Sequence, residues 1–188
     1  MSAGSVPAPI LVVLGGLPGV GKSTVARVLL TRWAAVYLRI DTIEQALRGS
    51  GALVSGDVGP AGYLVAYALA RSQLEARLPV LADCVNPLPV TREAWRAVAR
   101  ESRVPILEVE LICSDTAEHR HRVATRPGDV AGLVLPTWQA VERHDYALWE
   151  QERLIVDTAC HSADEAADLV LGALRRCTAG VAAAVDNR

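Results

Sequence analysis

Two hydrophobic patterns alternate along the chain. Short, largely apolar runs predict strands that are buried within a sheet. These runs span residues 10–14, 36–40, 80–82, 105–112 and 154–156. Between them, apolar residues recur every three or four positions, which predicts amphipathic helices. The helical segments are 23–34, 42–48, 63–77, 91–101, 116–125, 137–149 and 162–176. Strands that alternate with helices indicate an α/β fold in which helices cover both faces of a parallel sheet.

The run at 105–112 differs from the other apolar runs. Leucine and valine alternate there with Glu108 and Glu110. This alternation predicts a strand with one polar face, less buried than the first strand.

Breaks in the helical pattern predict loops. Five glycines in residues 49–62 indicate one loop, and Pro127-Gly128 begins another, the lid, at about residues 126–137. The small residues at 178–188 predict a frayed tail. Because no repeat or linker interrupts the chain, we expect residues 1–188 to form a single domain.

Composition sets outer limits on function. The chain has 188 residues, of which 51% are hydrophobic and 21% charged, and this excludes a disordered or collagen-like protein. The net charge of −2 gives no basic field, so nucleic acid is not an expected partner. No apolar run approaches the roughly 20 residues that span a bilayer, and no secretory signal is evident. Four cysteines without a C-x-x-C pair favour a cytoplasmic location, and the oligomeric state is not indicated.

Lysine usage singles out one position. Lys22 is the only lysine among the 19 Lys and Arg residues. GC-rich codon usage would explain the many arginines, and the remaining lysine then lies where arginine cannot serve. Residues 16–23 read GLPGVGKS, which fits the phosphate-loop pattern G-x-x-x-x-G-K-[ST] between a strand and a helix.

The chemistry of this loop points to a nucleoside triphosphate such as ATP. Glycines let successive backbone N–H groups converge on phosphate oxygens, and the helix contributes its positive N-terminal end. Lys22 can reach the β- and γ-phosphates, and the Ser23 hydroxyl can bind Mg²⁺. The predicted nucleotide-binding residues are Gly16, Pro18, Gly19, Val20, Gly21, Lys22, Ser23 and Thr24.

Three carboxylates follow the ends of predicted strands: Asp41, Asp83 and Asp157. In a parallel sheet these ends face the ligand crevice. Asp83 ends an apolar strand and is a candidate Mg²⁺ ligand, either directly or through water, with a helix cap or turn as its alternative. Asp157, followed by Thr158, is expected to cap a turn near the nucleotide base.

Asp41 bears on the choice of acceptor. A carboxylate would repel a phosphate acceptor, but it can orient a hydroxyl and accept its proton during phosphoryl transfer. Asp41 therefore favours an alcohol acceptor. Its alternative role is to cap the helix at 42–48, and the two roles can coexist.

A third group of candidates consists of arginines near the lid. Arg122 and Arg126 lie four residues apart, so they share a helix face at the start of the lid. They are suited to neutralise charge on the transferring γ-phosphoryl group. The alternative is a solvated helix on which Glu118 pairs with Arg122.

These residues resemble the small kinases of the chloramphenicol phosphotransferase-like group, with zeta toxins and polynucleotide kinases as more distant relatives. The matching pieces are residues 14–24, 39–44, 81–83, 125–132 and 156–158. The resemblance implies a three-layer α/β/α fold with a five-stranded sheet in the order 2-3-1-4-5. It also implies ATP as donor, Mg²⁺, and Asp41 as catalytic base. The sequences at 17–20 and 83–89 depart from the antibiotic kinase, so its specificity is not carried over.

The sequence thus predicts a kinase that transfers the γ-phosphate of ATP to a hydroxyl of a small molecule such as an antibiotic, nucleoside or sugar. Its predicted catalytic residues are Lys22, Asp41, Arg122 and Arg126, and its metal ligands are Ser23 and Asp83. Further acceptor-site candidates are Asp57, Tyr63 and Asn86. The alternatives are a nucleoside monophosphate kinase, a nucleotide-dependent regulatory ATPase without such an acceptor, and a nucleic-acid end kinase, which the net charge does not favour.

Overall fold

The structure, a computed structural model, describes residues 8–51 and 58–185. The candidate Asp57 therefore lies outside the described residues. The elements follow one another in the order β1 (Leu11–Gly15), α1 (Lys22–Arg32), β2 (Val36–Arg39), α2 (Ile40–Gly49), α3 (Ala61–Glu75), β3 (Val80–Asp83), α4 (Pro89–Glu101), β4 (Ile106–Ile112), α5 (Thr116–Thr125), α6 (Trp138–Glu142), β5 (Leu154–Asp157) and α7 (Ala163–Val185).

The five strands form one parallel sheet in the order β2-β3-β1-β4-β5. This confirms the α/β/α fold and the strand order that the resemblance implies. Strand β1 lies in the centre, and all five of its residues are buried, which explains its uniformly apolar sequence. Because the strands are parallel, the loops after β1, β2 and β3 meet at one edge of the sheet.

Helices cover both faces of the sheet and form two cores. Val12 and Leu14 of β1 pack in one cluster with residues of α1 and α7. The alternate residues Leu11 and Val13 pack in the other cluster, which includes Trp95 and residues of α3. Each fully buried aliphatic side chain contributes about 1.5–3 kcal/mol. The two cores fix the sheet edge on which the loops converge.

Strand β4 has the predicted polar face and is less buried than β1 at its two ends, but this polar face does not meet water. Both Glu108 and Glu110 are buried. Arg96 donates to the two carboxylate oxygens of Glu108 at 3.1 and 2.6 Å, and Arg153 donates to Glu110 at 2.8 Å. Buried carboxylates persist when they are paired with charged donors in this way. The alternation in the sequence reports side-chain polarity but carries no information about these distant partners.

The helix predicted at 137–149 is shorter in the structure. Its C-terminal part is absent, because α6 ends at Glu142. Further on, the backbone forms contacts outside any helix. The Ala147 amide donates to the Pro87 carbonyl at 2.9 Å. The Ala147 and Leu148 carbonyls accept hydrogen bonds from the buried guanidinium of Arg92 at 2.7 and 2.9 Å. These backbone groups are therefore not available for the hydrogen bonds of a continuing helix.

Other boundaries shift by smaller amounts. Helix α4 begins at Pro89, two residues before the predicted start, and the missing N–H of a first-turn proline costs nothing. Helix α7 continues to Val185 instead of ending near Arg176, and its last turns are rich in alanine, the strongest helix former. Among the described residues, no helix is both long and apolar enough to cross a membrane.

Candidate active site

A cavity of about 1050 Å³ lies at the edge where the loops after β1, β2 and β3 meet. Small-molecule sites range over about 300–1000 Å³, so this cavity can hold a nucleotide together with a second molecule. Ten predicted residues line it: Pro18, Gly19, Gly21, Lys22, Ser23, Thr24, Asp41, Asp83, Arg122 and Arg126. The structure thus brings the main predicted groups into one space.

The backbone of the phosphate loop requires glycine at two positions. Gly16 has a φ of 140°, and a Cβ there would collide with the carbonyl oxygen of Leu111 on β4. Gly19 has a φ of 87°, and a Cβ there would lie 2.5 Å from a methyl carbon of Val123 on α5. A backbone oxygen of β4 and a side-chain methyl of α5 thus approach the loop too closely for any residue larger than glycine.

Two residues that the sequence analysis did not select as loop supports hold the phosphate loop from behind. The Thr158 hydroxyl donates to the Val20 carbonyl at 2.9 Å. The His119 ring nitrogen Nε2 lies 2.8 Å from the Pro18 carbonyl oxygen. The partners are 138 and 101 residues apart in sequence, so no local pattern could have indicated them.

Lys22 is held inside the phosphate loop by two hydrogen bonds. Its Nζ donates to the carbonyls of Gly16 at 2.7 Å and of Leu17 at 2.9 Å. Burial lowers the pKa of Lys22, while Asp83 and Asp41 act in the opposite direction. Among the described residues Lys22 forms no ion pair, so its charge is available to a phosphate.

Ser23 and Asp83 form the predicted metal position. The Ser23 hydroxyl donates to Oδ2 of the buried Asp83 at 2.6 Å, and the Tyr37 hydroxyl donates to the same oxygen at 2.7 Å. Burial, with help from Asp83, raises the pKa of Tyr37, which keeps this phenol protonated as a donor. A hydroxyl beside a carboxylate fits Mg²⁺, which takes oxygen ligands and obtains the others from water and phosphates. Sequence reasoning missed Tyr37, which it treated only as a strand residue.

Asp41 lies in the first turn of α2, and its side chain is 41% exposed. The N-cap residue of α2 is Arg39, so the alternative that Asp41 caps this helix is wrong. Nη2 of Arg39 lies 3.5 Å from Oδ2 of Asp41. Because Asp41 is partly exposed and lines the cavity, its carboxylate opens onto the same space as Lys22 and Ser23.

The two predicted lid arginines differ. Arg122 donates to Glu118 at 2.7 Å and, through its two terminal nitrogens, to the hydroxyl and the carbonyl of Thr158 at 2.9 and 3.1 Å. It therefore braces α5 against the residue that supports the phosphate loop. Arg126 follows the end of α5, and its Nε has no hydrogen-bond partner among the described residues. Arg126 lines the same cavity as Lys22, and its guanidinium is the smallest of the influences on the pKa of Lys22, which it lowers.

The lid is tied down by an aspartate that the sequence analysis did not select. Arg39 donates from Nη1 and Nη2 to the two oxygens of Asp129 at 2.7 and 2.9 Å. Arg27 of α1 reaches the same carboxylate at 3.2 Å. The hydrogen bonds from Arg39 lower the pKa of Asp129. One lid residue is thus joined both to the end of β2 and to α1.

The remaining candidates lie away from the cavity wall. Asn86 is fully buried with a φ of 51°, and its backbone amide donates to the Tyr63 hydroxyl at 2.9 Å. Their placement gives Asn86 and Tyr63 no direct access to a ligand in the cavity. The Asp157 carboxylate accepts hydrogen bonds from the amides of Ser114 and Ala159, both at 3.0 Å, which agrees with its predicted role in a turn.

Comparisons with known proteins give one family match and many similar folds. Residues 11–143 match the family model described as AAA domain. No curated protein matches the sequence. The structure is similar to the APS kinase CysC of Mycobacterium tuberculosis in complex with AMPPNP and APS, with a TM-score of 0.67, 20% identity, and coverage of 90% of this chain and 99% of that one.

Two further solved structures show the same fold. A gluconokinase from Sinorhizobium meliloti 1021 has a TM-score of 0.62 and 20% identity, covering 94% of this chain and 96% of that one. An unliganded sugar kinase from Janibacter sp. HTCC2649 has a TM-score of 0.62 and 16% identity, covering 88% of this chain and 94% of that one.

Proposed function

The chain belongs to the AAA domain family, and we propose that within it the protein is an ATP-dependent kinase that phosphorylates a hydroxyl of a small molecule. One observation carries the proposal. The Asp41 carboxylate opens onto the same cavity as the phosphate loop and the Ser23–Asp83 pair. The proposal includes ATP as donor, and it includes the narrower placement beside the chloramphenicol phosphotransferase-like kinases that residues 39–44 and 125–132 suggest.

Each group of residues in the site has its own role in phosphoryl transfer. Backbone N–H groups of the phosphate loop and the Lys22 ammonium bind the β- and γ-phosphates. Ser23 and Asp83 would hold Mg²⁺, which supplies charge neutralisation on the phosphate oxygens when bound. Asp41 orients the acceptor hydroxyl and takes its proton as the new oxygen–phosphorus bond forms. Arg126 stabilises the charge on the transferring group.

The direct test is a screen of acceptors with γ-labelled ATP and Mg²⁺, followed by substitution of Asp41. Asp41→Asn should keep ATP affinity while it lowers kcat by about 10²-fold, because an amide cannot accept the proton. Asp145→Asn is the matched control, since Asp145 is exposed and does not line the cavity. Near-normal turnover of Asp41→Asn would overturn the role of Asp41 as base.

The same screen separates the competing functions. Transfer to nucleoside monophosphates but to no neutral alcohol would favour a nucleotide kinase. Slow ATP hydrolysis with no labelled acceptor would favour a regulatory ATPase. We also propose a cytoplasmic location, which the four unpaired cysteines support because free thiols persist in reducing compartments.

A further inference from the structure

Helix α2 presents a polar stripe to the cavity. Asp41, Glu44, Gln45 and Arg48 all line the cavity, and their spacing of three, one and three residues places them on one helix face. The opposite face packs inward, where Ile40 is buried and Ile43 contacts the core. The stripe therefore extends the site well beyond Asp41, and we name it, together with the lid, the acceptor end.

The cations on α2 and at the end of β2 are already paired, whereas Arg126 of the lid, unpaired among the described residues, is assigned to the γ-phosphoryl group. Arg48 lies 3.3 Å from Glu44, and Arg39 is bound by Asp129 and lies beside Asp41. Burial raises the pKa of Glu44, Arg48 counteracts this, and Asp41 adds to the rise. A phosphate or carboxylate entering beside α2 would meet the carboxylates of Asp41 and Glu44, and it would have to break an existing ion pair to bind Arg39 or Arg48.

The two middle residues of the stripe lie against neighbouring elements. A Cβ on Gly62 of α3 would collide with Cγ of Glu44. A Cβ on Gly132 of the lid would lie 2.6 Å from Nε2 of Gln45. Glu44 thus packs against α3 and Gln45 lies beside the lid, and together they offer hydrogen-bond acceptors and a donor to the cavity.

The lid gives the acceptor end a second, apolar wall. Leu133, Val134 and Pro136 line the cavity, and the adjacent Gly132 lies beside Gln45 of α2. A sugar-like ring has the matching properties, because its hydroxyls lie around the edge and its C–H groups lie on the faces. A ring of this kind can place one hydroxyl on Asp41 and others on Glu44 and Gln45.

Building on the proposed kinase function, we propose that the acceptor is a sugar-like ring that carries several hydroxyls and no phosphate or carboxylate group. Glu44 and Gln45 bind hydroxyls near the one that reacts. That hydroxyl oxygen forms a bond to the γ-phosphorus while the bond from the γ-phosphorus to the bridging oxygen of ADP breaks, and its proton passes to Asp41. The products are ADP and a phosphate monoester.

The test uses acceptor pairs that differ only in one anionic group: a hexose with its 6-phosphate, a hexose with its uronic acid, and a nucleoside with its monophosphate. We expect the neutral member of the preferred pair to have a kcat/KM at least about tenfold higher. Preference for the anionic member would overturn this inference but would leave the proposed kinase function intact.

A variant tests the assigned residue separately. Glu44→Gln should raise the KM for the acceptor about tenfold and leave kcat and the KM for ATP nearly unchanged, because it weakens hydroxyl binding without touching Asp41. Glu75→Gln, an exposed position on α3, is the matched control. An unchanged acceptor KM in folded Glu44→Gln would overturn the role of Glu44. Absence of transfer to every compound in the screen would overturn both proposals.

Discussion

The two ends of the cavity are built in different ways. At the donor end, which comprises the phosphate loop, Asp83 and Thr158, polar groups bind backbone carbonyls or buried partners. At the acceptor end, the main contacts join charged side chains, such as Arg39 with Asp129 and Arg48 with Glu44. Contacts with backbone change only if the fold changes, whereas partly exposed ion pairs are weak and screened by salt. The donor end is therefore preformed, and the acceptor end is adjustable.

The largest effect is expected where the donor end depends on one side chain. Lys22→Arg should lower kcat/KM for ATP by about 10²–10³-fold, because a planar guanidinium cannot occupy the narrow space between the Gly16 and Leu17 carbonyls and still reach phosphate. Steady-state kinetics measure the loss. Arg100→Lys, on the exposed surface of α4, serves as the control and should be silent. Normal kinetics in Lys22→Arg would show that the lone lysine has no special role.

The two lid arginines provide the next test. Arg126→Gln should reduce kcat by about 10–10²-fold with little change in Tm, because its guanidinium lines the same cavity as Lys22. Arg122→Gln should instead lower Tm by about 2–4 °C and raise the KM for ATP, since about 1 kcal/mol of bracing at Thr158 is lost. Kinetics and thermal unfolding of both variants distinguish the roles. Equal loss of kcat with unchanged Tm in both would contradict the distinction.

A smaller effect is expected at the ion pair that holds the lid. Asp129→Asn should raise the acceptor KM a few-fold, leave ATP affinity unchanged, and have a smaller effect in about 0.5 M salt, which partly screens the wild-type pair. Asp164→Asn, which removes an exposed carboxylate paired with Arg32 outside the cavity, is the matched control. An effect of Asp129→Asn that is insensitive to salt would argue against an adjustable acceptor end.

The smallest effect is expected in the pH dependence of thermal stability. Arg39 lowers the pKa of Asp129 below its ordinary value of about 3.9, so the pair stabilises the fold above that pH. This contribution is lost as pH falls through the lowered pKa, because the carboxyl becomes protonated. The Tm difference between wild type and Asp129→Asn should be constant from pH 7 to 5 and shrink below about pH 4. A difference that grows on acidification would reverse the assigned sign.

The sequence was informative where the signal is local. The phosphate loop is contiguous, and the parallel arrangement alone brings Asp41 and Asp83 to its side. The residues that support the phosphate loop and Asp83 could not be predicted in this way. Thr158 reaches Val20 and Tyr37 reaches Asp83 only after the sheet has formed. Their hydroxyls have no sequence pattern of their own, because each contact depends on the geometry of strands distant in the chain.

Two differences between the sequence pattern and the structure share one physical cause. The acidic face of β4 is buried because Arg96 and Arg153 cover it, and α6 stops early because Arg92 binds the carbonyls that follow. In each case an arginine from another element supplies the hydrogen bonds that periodicity assigns to water or to a helix. Hydrophobic patterns identify faces, but they do not identify the partners of buried polar groups.

Arg92 also has a consequence for how the segment that contains the lid can evolve. It joins the carbonyls of residues 86–87 to those of 147–148, while Arg122 fastens the helix that precedes the lid to Thr158. The segment between Arg122 and Ala147, which contains the lid and α6, is therefore anchored at both ends. Insertions and deletions within such a loop cost little, since closure entropy grows slowly with length. A lineage could therefore exchange the lid beyond Arg126, and with it the choice of acceptor, while the ATP-binding residues stay unchanged.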